Sequence, residues 1–173
     1  EYQTSKQTMA EEEKIKKVSI VVSKGSLEGV YPGLIMANGA RMEGIEANLF
    51  FTFFGLYGIL SKYMDTLKVA TVGNSAMRVP DAKGVPLPTL MGMIPGMSAF
   101  ATSMMKKEMD KLDIPPVREL IEMISDAGGK IYACRATVDM FHLTKDDFCP
   151  QMDRVLTVGE FYELSAGSQI IFT

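Results

Sequence analysis

Residues 47–54, ANLFFTFF, carry large apolar side chains at odd and even positions alike. A strand built from them has no face to give to water, so it belongs in a sheet covered on both sides. Residues 18–22 (VSIVV), 69–72 (VATV), 131–134 (IYAC) and 169–173 complete a set of five candidate strands. Segments of helical character lie between them. Residues 27–42 form one, with Pro32 placing its firm start near Tyr31 and Gly44 closing it. Residues 57–67 form a second, and 115–127 a third that stops at Gly128-Gly129. The capping-box spacing from Thr157 to Glu160 opens a further helix towards Ala166. Alternating strands and helices predict a mainly parallel five-stranded sheet inside a three-layer α/β/α sandwich, because right-handed crossovers cover both faces.

A length of 173 residues suits a single domain. Residues 1–17 are polar, include the run Glu11-Glu12-Glu13, and are expected to form a flexible tail ahead of a domain over 18–173. An apolar fraction of 47% excludes wholesale disorder, and a net charge of −3 argues against a nucleic-acid partner. Two cysteines are too few for a disulfide scaffold, and no leader pattern opens the sequence. A reducing cytoplasm is therefore the expected compartment.

Residues 84–105 carry no charge, a length that raises the question of membrane contact. Pro86, Pro88 and Pro95, with Gly84, Gly92 and Gly96, argue against a lipid-exposed helix. Six methionines fall between Met91 and Met109. The favoured reading is a methionine-rich insertion, about 84–109, folded over the sheet edge. A subunit interface and a loop touching a membrane are the alternatives. A charged helical stretch is expected to start at Lys106-Lys107.

In a parallel sheet the carboxyl ends of the strands share one edge, where ligands bind. The residues there are Lys24 and Gly25, then Thr52, Phe53, Phe54 and Gly55, then Gly73 and Asn74, then Cys134 and Arg135. Among them Cys134 stands out, at the point where a strand gives way to a helix that Thr137 is placed to cap. The dipole of that helix favours a thiolate by roughly 1 kcal/mol, a partial activation that Arg135 or Lys24 would complete. Cys149, in the context DDFCP, reads as a loop cysteine or a second thiol, with Asp146 and Asp147 working against its ionisation. His142, the sole histidine, falls at the far end of the short helix after Cys134, which leaves no cysteine–histidine pair and no metal site. The stretch SKGSLEG, 23–29, has neither the triphosphate-loop nor the dinucleotide spacing.

Four stretches then carry a resemblance: KVSIVVSKGSLEGVYPGLIMANGA, GIEANLFFTFFGL, LMGMIPGMSAFATSMMKK and KIYACRATVDMF. With them the chain resembles the DsrE/DsrF-like sulfurtransferase family from about Lys17 to Thr173, in particular the branch named for peroxiredoxins. It departs after the fourth stretch, where Phe141-His142 stands in place of the family's Met-Gly step. The resemblance implies that Cys134 carries sulfane sulfur as a persulfide, with no other cofactor. It also implies a homo-oligomer and a small sulfur-carrier protein as exchange partner. Phe53 and Phe54 with nearby methionines would form the apolar wall of such a site, and Lys24, Arg135 and Thr137 the polar one. The same cysteine would also serve a thiol peroxidase or redox sensor through sulfenic acid. A non-catalytic binding or assembly module is the third reading.

Overall fold

The computed structural model describes residues 14–72, 74, 76 and 88–173. The expected tail through residue 13 and the expectations that fall on 77–87 lie outside the described residues. Strand β1 (Lys17–Val22) is followed by helix α1 (Leu27–Met42) and β2 (Glu46–Phe51), which runs into a 3-10 turn over Phe53–Gly58. A second 3-10 turn, Thr89–Met93, precedes α2 (Met97–Lys111) and α3 (Val117–Asp126). The chain ends with β3 (Lys130–Cys134), α4 (Arg135–Met140), β4 (Arg154–Leu156), α5 (Val158–Leu164) and β5 (Gln169–Phe172).

All four strand pairings are parallel, in the order β4-β3-β2-β1-β5. This order explains the layers. From β1 to β4 the chain steps across the sheet in one direction, and right-handed crossovers put the intervening helices on one face. There Leu27, Val30 and Leu34 of α1 and Leu120, Ile121 and Ile124 of α3 pack on Ile20, Leu49, Phe51 and Ile131. The last crossover, from β4 back to β5, runs the other way, so α5 covers the opposite face. Phe161 of α5 packs there with Val21, Phe50, Tyr132, Cys134 and Leu156, its ring stacked 4.5 Å from that of Phe50. The three-layer α/β/α sandwich is thus observed, with every pairing parallel.

The membership of the sheet differs from the sequence reading. Residues 69–72 are not a strand, because side chains take up their backbone groups. Val69 N–H donates to Thr102 Oγ1 (2.9 Å), Ser98 Oγ donates to the Val69 carbonyl (3.0 Å), and Ala70 N–H donates to the Glu28 carboxylate (3.1 Å). The fifth strand is instead β4, three residues long and too short to leave a periodicity. Residues 57–67 are not an α-helix either. Leu60 bridges to Phe148 and Ser61 N–H donates to the Asp147 carbonyl, which draws the chain out of helical register. Helix α1 starts at Leu27 rather than near Tyr31, and Pro32 lies inside it. Its first turn is held by Ser26 O, which accepts from Gly29 and Val30, and by the burial of Leu27 and Val30. Strand β1 opens at Lys17, one residue inside the expected tail.

Helix α2 begins at Met97, within the uncharged segment and nine residues before Lys106. Ser98 and Thr102, one turn apart, hold both backbone groups of Val69, and Ala101 and Met109 pack against the core. Leu90, Met93, Ile94 and Phe100 are exposed around it. No helix among the described residues is long and apolar enough to cross a membrane.

Candidate functional site

Strand β3 delivers Cys134 to the carboxyl edge with the two-residue alternation of a strand. Ile131 and Ala133 face α1 and α3, whereas Tyr132 and Cys134 face α5. The connections leaving β3 and β4 diverge: α4 seats Val138 in the α1–α3 core, and α5 seats Phe161 on the other side. Cys134 therefore lies at the topological switch point, the position where a crevice opens in a parallel sheet. Its register partner is Leu156, the last residue of β4.

Cys134 is the N-cap residue of α4 and is 5% exposed. The cap expected at Thr137 is corrected accordingly: helix α4 starts two residues earlier, at Arg135, and Thr137 occupies its third position. With six residues, α4 is as short as expected, and its dipole is correspondingly small. The Thr137 hydroxyl works elsewhere. Only 1% exposed, it accepts the Phe53 N–H (3.1 Å) and lies 3.2 Å from Thr52 Oγ1. Phe53 has φ +46, a left-handed conformation that is strained for a side chain of this size.

Two glycines complete this junction. A Cβ at Gly25 would overlap the Phe54 carbonyl, and one at Gly55 would overlap the Val22 carbonyl, so the turns after β1 and β2 touch backbone to backbone. Gly55 N–H donates to the Ser23 carbonyl (3.1 Å) and Thr52 N–H to that of Val22 (3.0 Å). The structure thus brings Gly25, Thr52, Gly55, Thr137 and Cys134 to one rigid edge. Phe53 and Phe54 stand out from it, 55% and 59% exposed. Phe54 stacks with Tyr57 at 6.3 Å and approaches Phe141 at 6.0 Å. Lys24 and Arg135 are exposed, and the Lys24 Cβ lies against Gly29 in the first turn of α1.

Asn74 does not join the edge, because no strand precedes it. Its amide donates to the Ala70 carbonyl (3.0 Å) and its oxygen accepts the Ala76 N–H (3.1 Å). Gly73 lies outside the described residues. His142 is exposed in a left-handed conformation just past α4. Cys149 is 3% exposed and belongs to the core cluster of α1 and α3. Burial pushes its thiol up, ahead of the lowering effects of nearby backbone N–H groups and Arg118. That cause differs from the one expected, repulsion by Asp146 and Asp147. Both cysteines are free thiols.

Sequence reasoning missed the neighbours of Cys134 on the α5 face. Tyr132 was legible in the alternation of β3, but Leu156 and Phe161 required the strand order. Glu160 was read as a helix signal only. It accepts from the Thr157 N–H (2.7 Å) and hydroxyl (2.9 Å), which hold its carboxyl below the usual range, with Arg154 and Arg135 contributing further. A cavity of about 160 Å³ lined by Tyr31, Met64 and Met109, and an open groove of about 620 Å³ lined by Lys68, Lys106 and Lys107, lie beside α2. Neither is lined by Cys134. No cluster of candidate metal ligands occurs among the described residues.

An all-parallel α/β sandwich with a strand-end cysteine at its switch point defines the class. Within it, the chain belongs to the DsrE/DsrF/DrsH-like family, whose model matches residues 14–172. It is 37% identical over 157 residues to the Sulfur carrier protein DsrE2 of Allochromatium vinosum, covering 90% of this chain and 96% of that protein. It is 26% identical over 164 residues to the Uncharacterized protein YrkE of Bacillus subtilis, covering 92% and 98%. Among solved structures, the ychN protein from E. coli superposes with a TM-score of 0.54 at 11% identity, over 92% of this chain and all of that one. This last likeness is one of fold.

Proposed function

We propose that this protein is a sulfur carrier that holds sulfane sulfur as a persulfide on Cys134 and exchanges it with the thiol of a partner protein. The observation that carries the reading is the position of Cys134 at the carboxyl end of β3, at the switch point of the sheet. The 37% identity to a protein named as a sulfur carrier supports the choice of chemistry.

In the loading step the Cys134 thiolate attacks the outer sulfur of a donor persulfide, R–S–SH. A new S–S bond forms to Cys134, the donor's S–S bond breaks, and R–S⁻ leaves. In the unloading step an acceptor thiolate attacks the outer sulfur of Cys134–S–SH, and the Cys134 thiolate leaves. Each step exchanges one S–S bond for another with no net oxidation, so neither requires a metal or a redox cofactor. The apolar packing of Phe50, Tyr132, Leu156 and Phe161 around Cys134 shields the bound sulfur from bulk thiols. At 5% exposure, delivery requires the edge to open or the partner's thiol to enter it. The partner is a small carrier protein, the chain acts as a homo-oligomer, and a reducing compartment such as the cytoplasm keeps both cysteines as thiols.

The test is intact mass after incubation with a sulfane-sulfur donor, for the parent, Cys134→Ser and Cys149→Ser. A gain of one sulfur in the parent and Cys149→Ser, lost in Cys134→Ser, is expected. Uptake that persists in Cys134→Ser would sink the reading, and an oxygen gain without sulfur would point to peroxide chemistry instead.

A further inference from the structure

Cys134 lies beneath β4 and α5, and polar contacts pin the two ends of that β4–α5 unit to the sheet well away from the thiol. At its start, Asp153 N–H donates to the Ile131 carbonyl (2.8 Å). The Asp153 carboxylate accepts the Ile131 N–H (2.8 Å) and meets Lys130 Nζ at 3.1 Å. At its end, Ser165 Oγ donates to Ser19 Oγ (2.9 Å), and Ser168 Oγ lies 3.0 Å from the same oxygen. The register sets Ser19 opposite Asn48 and Asn48 opposite Lys130, so both pins stand at one level near the amino ends of the strands. Cys134 is at the other end of β3, roughly 13 Å away.

Between the pins the unit rises along β4, turns at Leu156-Thr157 beside Cys134, and returns as α5. Little holds its raised end. β4 is a three-residue edge strand that pairs only with β3. Within α5 only Phe161 is buried, stacked on Phe50, and Leu164 is partly so, while Val158 and Tyr162 are exposed. By contrast, α1 buries eight residues and α3 four on the opposite face. Segments with few buried apolar contacts open first, at less cost than global unfolding. The capping box joining Thr157 to Glu160 lies within the unit, so α5 keeps its first turn when its contacts to the sheet are lost. The other side of the edge offers no such opening, since the turns after β1 and β2 touch backbone to backbone.

We propose that β4–α5 is a flap over Cys134, pinned at Asp153 and Ser165 and latched by Phe161, and that the thiol meets its exchange partner when the flap lifts. The inference rests on the persulfide reading for its purpose, whereas the flap governs any reaction of Cys134 with a bulky reagent. Closed, the flap holds Leu156 and Phe161 over the sulfur. Lifted, it bares the sulfur to the thiol that the partner brings.

The test is the labelling rate of each cysteine by fluorescein maleimide in the folded protein, read from peptide masses. The two cysteines lie on opposite faces, so Cys149 reports opening of the α1–α3 side. Phe161→Ala removes the latch and is expected to speed Cys134 labelling by about 150-fold or more, capped by the rate of the unfolded chain. Ile121→Val weakens only the α1–α3 core. It is expected to speed Cys149 labelling by about 2- to 13-fold and to leave Cys134 unchanged. Equal acceleration of both cysteines by Ile121→Val overturns the proposal, because Cys134 would then react only on global unfolding. A Cys134 rate unmoved by Phe161→Ala overturns it too, because the thiol would then be reached without the flap moving. If Phe161→Ala lacks native circular dichroism, Phe161→Leu decides in its place, with a severalfold rise expected at Cys134. A parent that takes up no sulfur overturns the persulfide reading, and the labelling series still decides the flap.

Discussion

Cys134 and Cys149 are separated by the sheet: Cys134 packs with Phe50, Tyr132 and Phe161 beneath α5, while Cys149 lies in the core cluster of α1 and α3. Two thiols on opposite faces cannot approach to disulfide geometry without backbone movement. A diffusible thiol oxidant applied to the folded protein is therefore expected to give no Cys134–Cys149 bond. A cross-linked peptide containing both residues, recovered under native conditions, would contradict this arrangement.

Burial also determines how Cys149 responds to pH. Its folded-state thiol is raised above the unfolded value, so the protonated form is the one the fold favours. The stabilisation is fully present below the unfolded value of about 8.5 and is lost as pH rises through the folded one. Thermal stability is expected to fall more steeply above about pH 8.5 in the parent than in Cys149→Ala. Parallel curves would rule out a contribution from this thiol.

The glycine contacts at the carboxyl edge leave no room for a methyl group. Gly55→Ala would press a Cβ into the Val22 carbonyl and Gly25→Ala into that of Phe54, both backbone atoms that cannot rotate away. Each substitution is expected to cost about 1–3 kcal/mol in urea unfolding. It should also slow sulfur loading of the protein that remains folded. Unchanged midpoints would mean that the turns after β1 and β2 are not locked together.

At the start of α5, Thr157 and Glu160 satisfy each other's backbone groups. Thr157→Ala is expected to destabilise the fold by about 1 kcal/mol. The Glu160 carboxyl is held below its usual range, so its contribution is present above the unfolded value of about 4.3 and is lost as pH falls through the depressed one. Acid unfolding of Glu160→Gln should accordingly show a weaker pH dependence than that of the parent.

The polar seat of α2 gives a local prediction. Thr102→Val removes the acceptor for Val69 N–H, which is otherwise buried. Hydrogen exchange at the Val69 amide should accelerate by about 5- to 150-fold, from a loss of about 1–3 kcal/mol at that group. The amides of β2 should keep their protection. Equal acceleration throughout the sheet would show that the contact supports the whole fold rather than the docking of α2.

The amino-acid sequence by itself determined that this chain forms a doubly covered parallel sheet. It also placed Cys134 at a strand end and the capping box ahead of α5. These features are local: two-sided apolar runs, a strand-to-helix boundary and a side-chain–backbone motif within four residues each leave a mark in the order of amino acids. The tertiary structure alone decided which segments pair. Residues 69–72 have strand composition, yet Ser98, Thr102 and Glu28 claim their backbone groups, and the three residues of β4 take the remaining place in the sheet. It also decided that Thr137 serves Phe53 and Thr52 rather than capping α4, and that the two cysteines face opposite ways. The physical reason is that each of these outcomes depends on hydrogen-bond partners and packing neighbours tens of residues apart, and the relations among them exist only once the strand order is fixed.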